Sequence, residues 1–502
     1  MSDNVVVVGA GPVGLALASE LEIGGVHAIV LDQLASPDPL QKGRGIGVLG
    51  TEALRRRGLG RQLQEPNEPG RNDYRQDMGS ALAHFAWIHK IDPSHVGTDV
   101  TNRSGALIWQ PTLERLLAEY ATSKGAEIRR SHQVTAVEQD ASGVRLTVQT
   151  PGGTETISAP YVVGCDGGRS SVRKLAGFEF PGLDATSLTR VARIQVTDPD
   201  SFPAPRNTPR GSFQHGGVHE GWARVRIGEA YVEDDDRDRD PLTVEELQDA
   251  IRRTTGAEVE VLEIREGRRA RDTSRVAASY RVGRVFIAGD AAHVHTPLGG
   301  QGLNLGVMDA VNLGWKLASV MRGRVGEDLL ETYSSERQPV GASVIANTRA
   351  QAVLTVAAAP NEALRAVFAD LMDMPDVHDY LARMLTATDV RYPLPYAIDG
   401  EHELLGTHVP DFVVDDETLY SLSHDGSAVL VSTPSTSAAA AAAAPWADRV
   451  KIVPALVLGR RDVTAVLLRP DGVLAWVATP GRRADLDALT AALTTWFGPA
   501  AQ

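Results

Sequence analysis

The first pattern in the chain is a short β-branched run, Asn4 to Val8, that stops at glycines. Helical spacing with good helix formers follows from Val13 to Glu22, and a second apolar run, Val26 to Leu31, ends at Asp32. Strand, tight loop, helix and strand over residues 4 to 32 make a βαβ unit of about the usual 30 residues, so a parallel sheet is expected here. From Gln110 to Lys124 the residues Leu113, Leu116, Leu117 and Tyr120 fall on one helical face, and Val134 to Val137, Val144 to Val148 and Tyr161 to Val163 read as strands. Residues 176 to 280 change character. An Arg- and Pro-containing stretch and the acidic run Glu233 to Asp240 precede the capping box Thr243-Val244-Glu245-Glu246, which opens a helix. Val285 to Ala288 again has the pattern of a buried strand and Leu303 to Val320 a long helical period, so the chain returns to its first domain. Near the end, strand-like runs Ala428 to Val431 and Ala465 to Leu468 flank Ser432 to Ala444. That segment holds seven consecutive alanines and reads as a helix of high propensity or as a connector.

Composition narrows the class. A chain of 502 residues calls for about two to four domains, and 43% apolar with 23% charged residues is ordinary for a folded globular protein. The net charge of −14 and a pI near 5.4 argue against holding nucleic acid through its phosphates, and the acidic run is read as a solvated turn, not a cation site. The single cysteine, Cys165, permits no intrachain disulfide and no thiol cluster, and reads as a buried small hydrophobe; redox chemistry must come from a cofactor. The N-terminus lacks a cationic n-region and cleavage site, and no stretch of about 18 apolar residues follows, which predicts a cytoplasmic protein without a membrane partner. The acidic surface keeps the chain soluble without setting subunit number, and a monomer or weak homodimer is expected.

Gly9, Gly11 and Gly14, with Pro12 between them, match G-x-G-x-x-G. Glycines at this spacing permit a tight turn, close backbone approach to a pyrophosphate and close packing of helix on strand, and the helix N-terminus supplies donors to the anion. Asp32, at the end of the second strand, is placed to accept hydrogen bonds from adenosine ribose hydroxyls. A glycine turn with no ligand is the plain alternative, and the flanking strand, helix and carboxylate favour a dinucleotide, FAD or NAD. His293 and His295 stand two apart, yet no third metal ligand accompanies them and no metal is expected.

Two further segments decide between FAD and NAD by resemblance. Gly164-Cys165-Asp166-Gly167-Gly168-Arg169-Ser170-Ser171-Val172-Arg173 resembles the Asp-Gly motif of group A flavoprotein hydroxylases, and Gly289-Asp290-Ala291-Ala292-His293 resembles their Gly-Asp motif. That family includes para-hydroxybenzoate and phenol hydroxylases. The resemblance implies that Asp290 binds the ribityl chain of FAD, that Asp166 sits behind the pyrophosphate, and that the turn Thr296-Pro297-Leu298-Gly299-Gly300-Gln301-Gly302-Leu303-Asn304 packs its backbone against the isoalloxazine. The helix from Leu303 would then aim its positive end at the flavin N1/O2 edge and stabilise the anionic reduced flavin. Arg44 and Gln110 are similar to an Arg and a Gln that contact FAD in relatives.

Along almost the whole chain the sequence looks closest to the aromatic polyketide hydroxylases of actinomycete antibiotic pathways, angucycline and anthracycline types. Tyr280-Arg281-Val282-Gly283-Arg284-Val285 and Asn312-Leu313-Gly314-Trp315-Lys316-Leu317-Ala318 are similar to the segments flanking their flavin turn. Gly406-Thr407-His408-Val409-Pro410-Asp411 and Leu468-Arg469-Pro470-Asp471-Gly472-Val473-Leu474-Ala475-Trp476 resemble their thioredoxin-like C-terminal domain, which here contains no cysteine and cannot be redox-active. Two departures stand out: Gly45-Ile46-Gly47-Val48-Leu49-Gly50 lacks an expected Ala and Arg, and Met308 replaces a usual Gln.

The resemblance implies an α/β protein with a Rossmann-type FAD-binding domain (1–175 and 281–345), an interleaved mixed-sheet substrate domain (176–280), a helical connection (346–400) and a thioredoxin-like domain (401–502). FAD would be bound non-covalently, including by Gly289, Gly300, Gly302, Leu303 and Asn304. No second glycine fingerprint is present, so NADPH or NADH would dock transiently. A flavin C4a-hydroperoxide would pass oxygen from O2 to a polycyclic aromatic polyketide, with the Pro297 backbone beside the peroxide and no side chain assigned as general base. Two alternatives remain at this point: Baeyer-Villiger oxidation of a polyketide ketone, and a non-oxygenating FAD protein that binds or sequesters an aromatic drug.

Overall fold

Val5, Val6, Val7, Val30 and Leu31 are wholly buried. Such uninterrupted apolar strands suit a parallel sheet covered on both faces. In a computed structural model, which describes residues 4–38, 43, 45–64, 84–85, 89–90, 103–198, 202–230, 240–355, 359–397, 402–458, 460–481 and 484–501, they lie in a six-stranded sheet. Asn4–Val8 pairs in parallel with His27–Asp32 on one side and Tyr161–Gly164 on the other. Glu127–Arg130 extends one edge in parallel, and Val285–Ile287 extends the other before a short hairpin with Arg281–Val282. Thus segments more than a hundred residues apart meet at the carboxyl ends of adjacent strands, where α/β sheets bind ligands. The helix Pro12–Ile23 packs against Gln110–Lys124 and the long helix Gln301–Met321.

A five-stranded antiparallel sheet occupies the middle of the chain, in the order Arg206–Thr208, Gly211–His219, Trp222–Ala230, Ser187–Val196, Val261–Arg271. The helix Val244–Thr255 covers one face, burying Ala192, Ile194, Phe213, Val225 and Ile227 against Leu247 and Ile251. Its predicted cap forms: the Thr243 side chain accepts the Glu246 N–H at 3.2 Å. The acidic run falls almost entirely on 231–239, outside the described residues.

Near the end, Val450–Pro454 runs parallel to Ala428–Ser432, and Ala465–Leu468 and Leu474–Ala478 continue the sheet antiparallel, with helices Ser437–Ala443 and Leu486–Phe497 alongside. This is the thioredoxin-like architecture, and the alanine segment resolves as a helix. A strand at Gly153–Ala159, too polar and exposed to show in the sequence pattern, pairs with Val144–Thr150.

One sequence boundary shifts. The long helix begins at Gln301, not Leu303, because Gly299 and Gly300 take left-handed φ values of +69° and +63° and turn the chain directly into it. The helix Asp328–Thr355 carries Pro339 inside it. No described helix is long and apolar enough to cross a membrane.

Candidate active site

The first glycine loop is fixed from both flanks. Gly9 N–H donates to the Leu31 carbonyl at 2.7 Å, and Cys165 N–H donates to Val8 at 2.7 Å. Gly9 has φ +109°, and a Cβ there would run into the Cys165 carbonyl; a Cβ on Gly14 would strike the Gly9 carbonyl. Gly11 differs, since a Cβ there meets nothing within 4 Å. The helix that starts at Pro12 has no side-chain cap, so its first-turn N–H groups face that bare position without a side-chain acceptor. A diphosphate fits here: bare backbone, free donors and a positive helix end. Asp32 is pinned to the loop, its Oδ2 accepting Ala10 N–H at 2.7 Å and its Oδ1 accepting Leu34 N–H at 2.8 Å.

Asp166 follows the neighbouring strand and turns inward. It accepts Ser170 Oγ at 2.5 Å, Ser171 N–H at 2.6 Å and Val172 N–H at 3.1 Å, so it organises the turn and the short helix Ser171–Leu175. Arg173 then ties the second motif to the third, donating to the Gly168 carbonyl at 2.8 Å and the Ala291 carbonyl at 2.9 Å. In the third motif Gly289 has φ +62° and Asp290 is exposed. Beneath it Asp309 Oδ2 accepts Gly289 N–H at 3.0 Å and meets His293 Nε2 at 2.7 Å, while its Oδ1 accepts Arg337 Nε at 2.7 Å. Burial alone would raise the Asp309 carboxyl, but the Arg337 guanidinium and then His293 hold it below the ordinary value.

In the turn before the long helix, Pro297 and Gly300 are exposed, and the helix N-terminus carries no side-chain cap. Gln301 points away, donating to the Met384 carbonyl at 3.1 Å and accepting Asn347 Nδ2 at 2.8 Å. Gly302 lies against His295, whose Nε2 would be 3.2 Å from a Cβ there. Burial lowers the His295 pKa, and its Nδ1 sits 2.8 Å from the Thr296 carbonyl. Asn304 is buried and accepts Gly50 N–H at 2.7 Å; a Cβ on Gly47 would lie 2.9 Å from the Asn304 side chain. The glycines of 45–50 therefore allow the helix Val48–Arg55 to close on Asn304. Gln110 N–H donates to the Gly43 carbonyl at 3.0 Å, and a Cβ on Gly43 would stand 3.4 Å from Gln110 Oε1 and 3.8 Å from Leu303 Cδ2, so Gln110 and Leu303 converge. Gln110 also donates to Glu114 at 2.7 Å. Arg44 lies outside the described residues. Met308 is buried in the main core, and Cys165 is buried with its thiol pushed well up by burial. The described residues contain no group of three metal-binding side chains, and His293 is engaged with Asp309.

Arg173 and His293 stood in the sequence only as members of their motifs, with no role of their own, and Asp309 and Arg337 were not anticipated as parts of this site. The available signal was polar residues on buried helical positions, Asp309 and Asn312 among the apolar residues of Gln301–Met321.

Residues 3–348 match the family profile described as FAD binding domain, and 402–500 match aromatic-ring hydroxylase, C-terminal. The chain is 39% identical to 12-dehydrotetracycline 5-monooxygenase/anhydrotetracycline 6-monooxygenase of Streptomyces rimosus, covering 100% of both chains. It is 36% identical to dialkyldecalin synthase of Streptomyces rugosporus, again over 100% of each. Among solved structures, an aromatic hydroxylase from angucycline biosynthesis superposes with a TM-score of 0.87 at 36% identity over 100% of both chains.

Proposed function

The chain belongs to the FAD-dependent aromatic-ring hydroxylases, a family of flavoprotein monooxygenases, and from that premise we propose that it hydroxylates a polycyclic aromatic polyketide in antibiotic biosynthesis. The observation that carries this reading is the convergence of the bare Gly11 loop, the exposed Asp290 and the turn that exposes Pro297 and Gly300 at one end of the six-stranded sheet.

In this reading the backbone around Gly9, Gly11, Pro12 and Gly14 holds the diphosphate, with Asp166 organising the turn behind it. Asp32 takes the adenosine ribose and Asp290 the ribityl chain. Arg44, Gln110, Gly289, Pro297, Gly300, Gly302, Leu303 and Asn304 surround the ring system. When bound, FAD supplies the two-electron acceptance from NADPH or NADH and the activation of O2 for which no side chain here is suited. The protein's own task is binding and orientation. The uncapped helix end at Gly300 favours negative charge beside the ring, and the five-stranded sheet of the 176–280 region holds the substrate away from water. The domain limits 1–175 with 281–345, 176–280, 346–400 and 401–502, and a monomer or weak homodimer, belong to the same proposal.

A second reading is favoured by one relative. A relative named a dialkyldecalin synthase, and not a monooxygenase, shares the entire chain length at 36% identity, which keeps a non-oxygenating FAD protein as the second reading. Aerobic turnover with NADPH and a panel of tetracycline-, angucycline- and anthracycline-type phenols tests both, following product mass. A gain of one oxygen as a new aromatic hydroxyl supports the hydroxylase. The same mass as a lactone means Baeyer-Villiger oxidation, and no substrate-stimulated NADPH oxidation across the panel supports the non-oxygenating reading.

A further inference from the structure

The face of the five-stranded sheet that turns away from its helix is lined by charge. Val191 pairs with Arg226 on one neighbouring strand and with Arg268 on the other, so the two arginines flank it in one cross-strand row. The next row on the same face is small: Thr189 stands between Gly228 and Ala270. On the opposite side of the arginine row, Arg193 lies between Arg224 and Glu266, and Arg224 reaches Glu266 at 3.8 Å. Arg268 feels the carboxylates of Asp290 and Asp38, which sets this face toward the flavin turn.

Arg226 stands apart from its neighbours. It forms no hydrogen bond or ion pair with any described residue, and the charge acting on it is the like charge of Arg268. Burial, and then Arg268, push its guanidinium down to about 10, so it remains a cation at neutral pH. It is half-buried, recessed yet still reachable. A cation drawn part-way out of water is disfavoured until a counter-charge meets it. The adjoining row of Thr189, Gly228 and Ala270 leaves room for a flat ring system beside it.

We propose that Arg226, backed by Arg268, receives an ionised oxygen of the aromatic substrate, so that the enzyme selects polycyclic aromatics that are anionic at neutral pH. The group is a carboxylate, an acidic phenol or an ionised 1,3-diketone. This rests on the aromatic-substrate reading above. A phosphate of NADPH offers the same chemistry, and the test separates the two sources.

The test uses the FAD-loaded enzyme and equilibrium binding followed by flavin fluorescence, with anthraquinone-2-carboxylate and its methyl ester as probes. The wild type should bind the acid at least about tenfold more tightly than the ester, the scale of one charge-assisted hydrogen bond to a guanidinium. Arg226→Gln should erase that preference by weakening the acid alone, Arg226→Lys should retain part of it, and the KM for NADPH should stay unchanged in both. Equal binding of acid and ester, an unaltered preference in Arg226→Gln, or no binding of either probe overturns the proposal. A raised KM for NADPH with acid binding intact also overturns it, by assigning the guanidinium to the dinucleotide. Because binding is read without turnover, a preference that survives in a protein with no oxygenase activity sinks the hydroxylase reading and not the anion site.

Discussion

Asp309 offers the sharpest test of how the flavin turn is held. It is wholly buried and serves three partners: Gly289 N–H, His293 Nε2 and Arg337 Nε. Arg337 in turn donates to Tyr392 Oη at 2.8 Å and to the Leu305 carbonyl at 3.0 Å. Asp309→Asn keeps the shape and removes the charge. Its amide must also turn two donors toward groups that are themselves donors, Arg337 on one side or Gly289 and His293 on the other. Breaking one partner out of a buried pair costs about 3–5 kcal/mol. At about 2–4 °C per kcal/mol for a domain of a few hundred residues, the melting temperature should fall by roughly 10 °C.

The effect should also reach the cofactor, because the N–H that Asp309 holds belongs to Gly289, next to the exposed Asp290. Fluorescence titration of the deflavinated protein should show FAD affinity lowered by about tenfold, equivalent to 1.4 kcal/mol of misplacement at the turn. Melting is compared at one scan rate, since unfolding of a chain this long is governed by rate as well as equilibrium. An Asp309→Asn protein that melts with the wild type and keeps its FAD affinity refutes the reasoning.

Gly11→Val should leave the fold intact, since nothing lies within 4 Å of a Cβ there, yet the protein should purify colourless; a yellow variant with normal flavin content counts against the diphosphate assignment. His408 is buried and burial pushes its imidazole down to about 3 from 6.5, so the unfolded chain takes a proton that the folded one refuses. Stability is then full above about pH 6.5 and declines as pH falls toward 3, at about 1.4 kcal/mol per unit, and His408→Gln should flatten the fall in melting temperature between about pH 6.5 and 5. Glu336, which burial alone would raise, is held down to about 2 by Arg469 and Lys316, so its share of stability is present above 4.5 and is lost below that, toward 2. That loss should survive in His408→Gln, as a fall in melting temperature confined to pH below about 4.5. Thr243→Ala should cost about 1 kcal/mol through the lost cap, read as a shift in urea midpoint, with flavin content unchanged.

The parts of the fold that were legible share a physical reason. Asn4–Val8 and His27–Asp32 are covered on both faces, so hydrophobicity marks them directly, and the glycine loop is a local turn whose residues are adjacent in sequence. The five-stranded sheet was harder to read because charge interrupts the apolar positions of its helix-covered face. Arg190 and Arg269 project to the helix-covered face, where Glu246 accepts from both and Glu229 accepts from Arg190 at 2.6 Å. The other face carries Arg193, Arg224, Arg226 and Arg268, and the alternation Ala223-Arg224-Val225-Arg226-Ile227 is a strand signal that the sequence did offer. Gly47 and Gly50 look like departures from a pattern until Asn304, about 250 residues away, is seen to need their missing side chains. No local rule reads a contact of that separation.

The same limit hides what the C-terminal unit does. Arg469 donates to both oxygens of Glu336, at 2.7 and 2.9 Å, and pairs with Asp471, while Lys316 reaches Glu336 at 2.7 Å. Asn312 bridges the two carboxylates, donating to Glu336 at 2.7 Å and Asp471 at 3.1 Å. From the other side Arg57 grips Glu20 through both oxygens and donates to the Pro470 and Ser423 carbonyls, and Arg56 donates to the Asp471 carbonyl at 2.8 Å. The turn Arg469–Gly472 is therefore wedged between the helices Pro12–Ile23, Gln301–Met321 and Asp328–Thr355. Its buried charges stabilise little against apolar replacements, yet they tolerate no change of register, because a shifted turn would strand several charges at once. A thioredoxin-like unit with no cysteine can form no disulfide of its own. What it provides is a grip on Asn312 through Asp471, in the second half of the helix whose first residue follows Gly300, and on Glu336 through Arg469, and so a rigid setting for the turn where the flavin ring is proposed to lie.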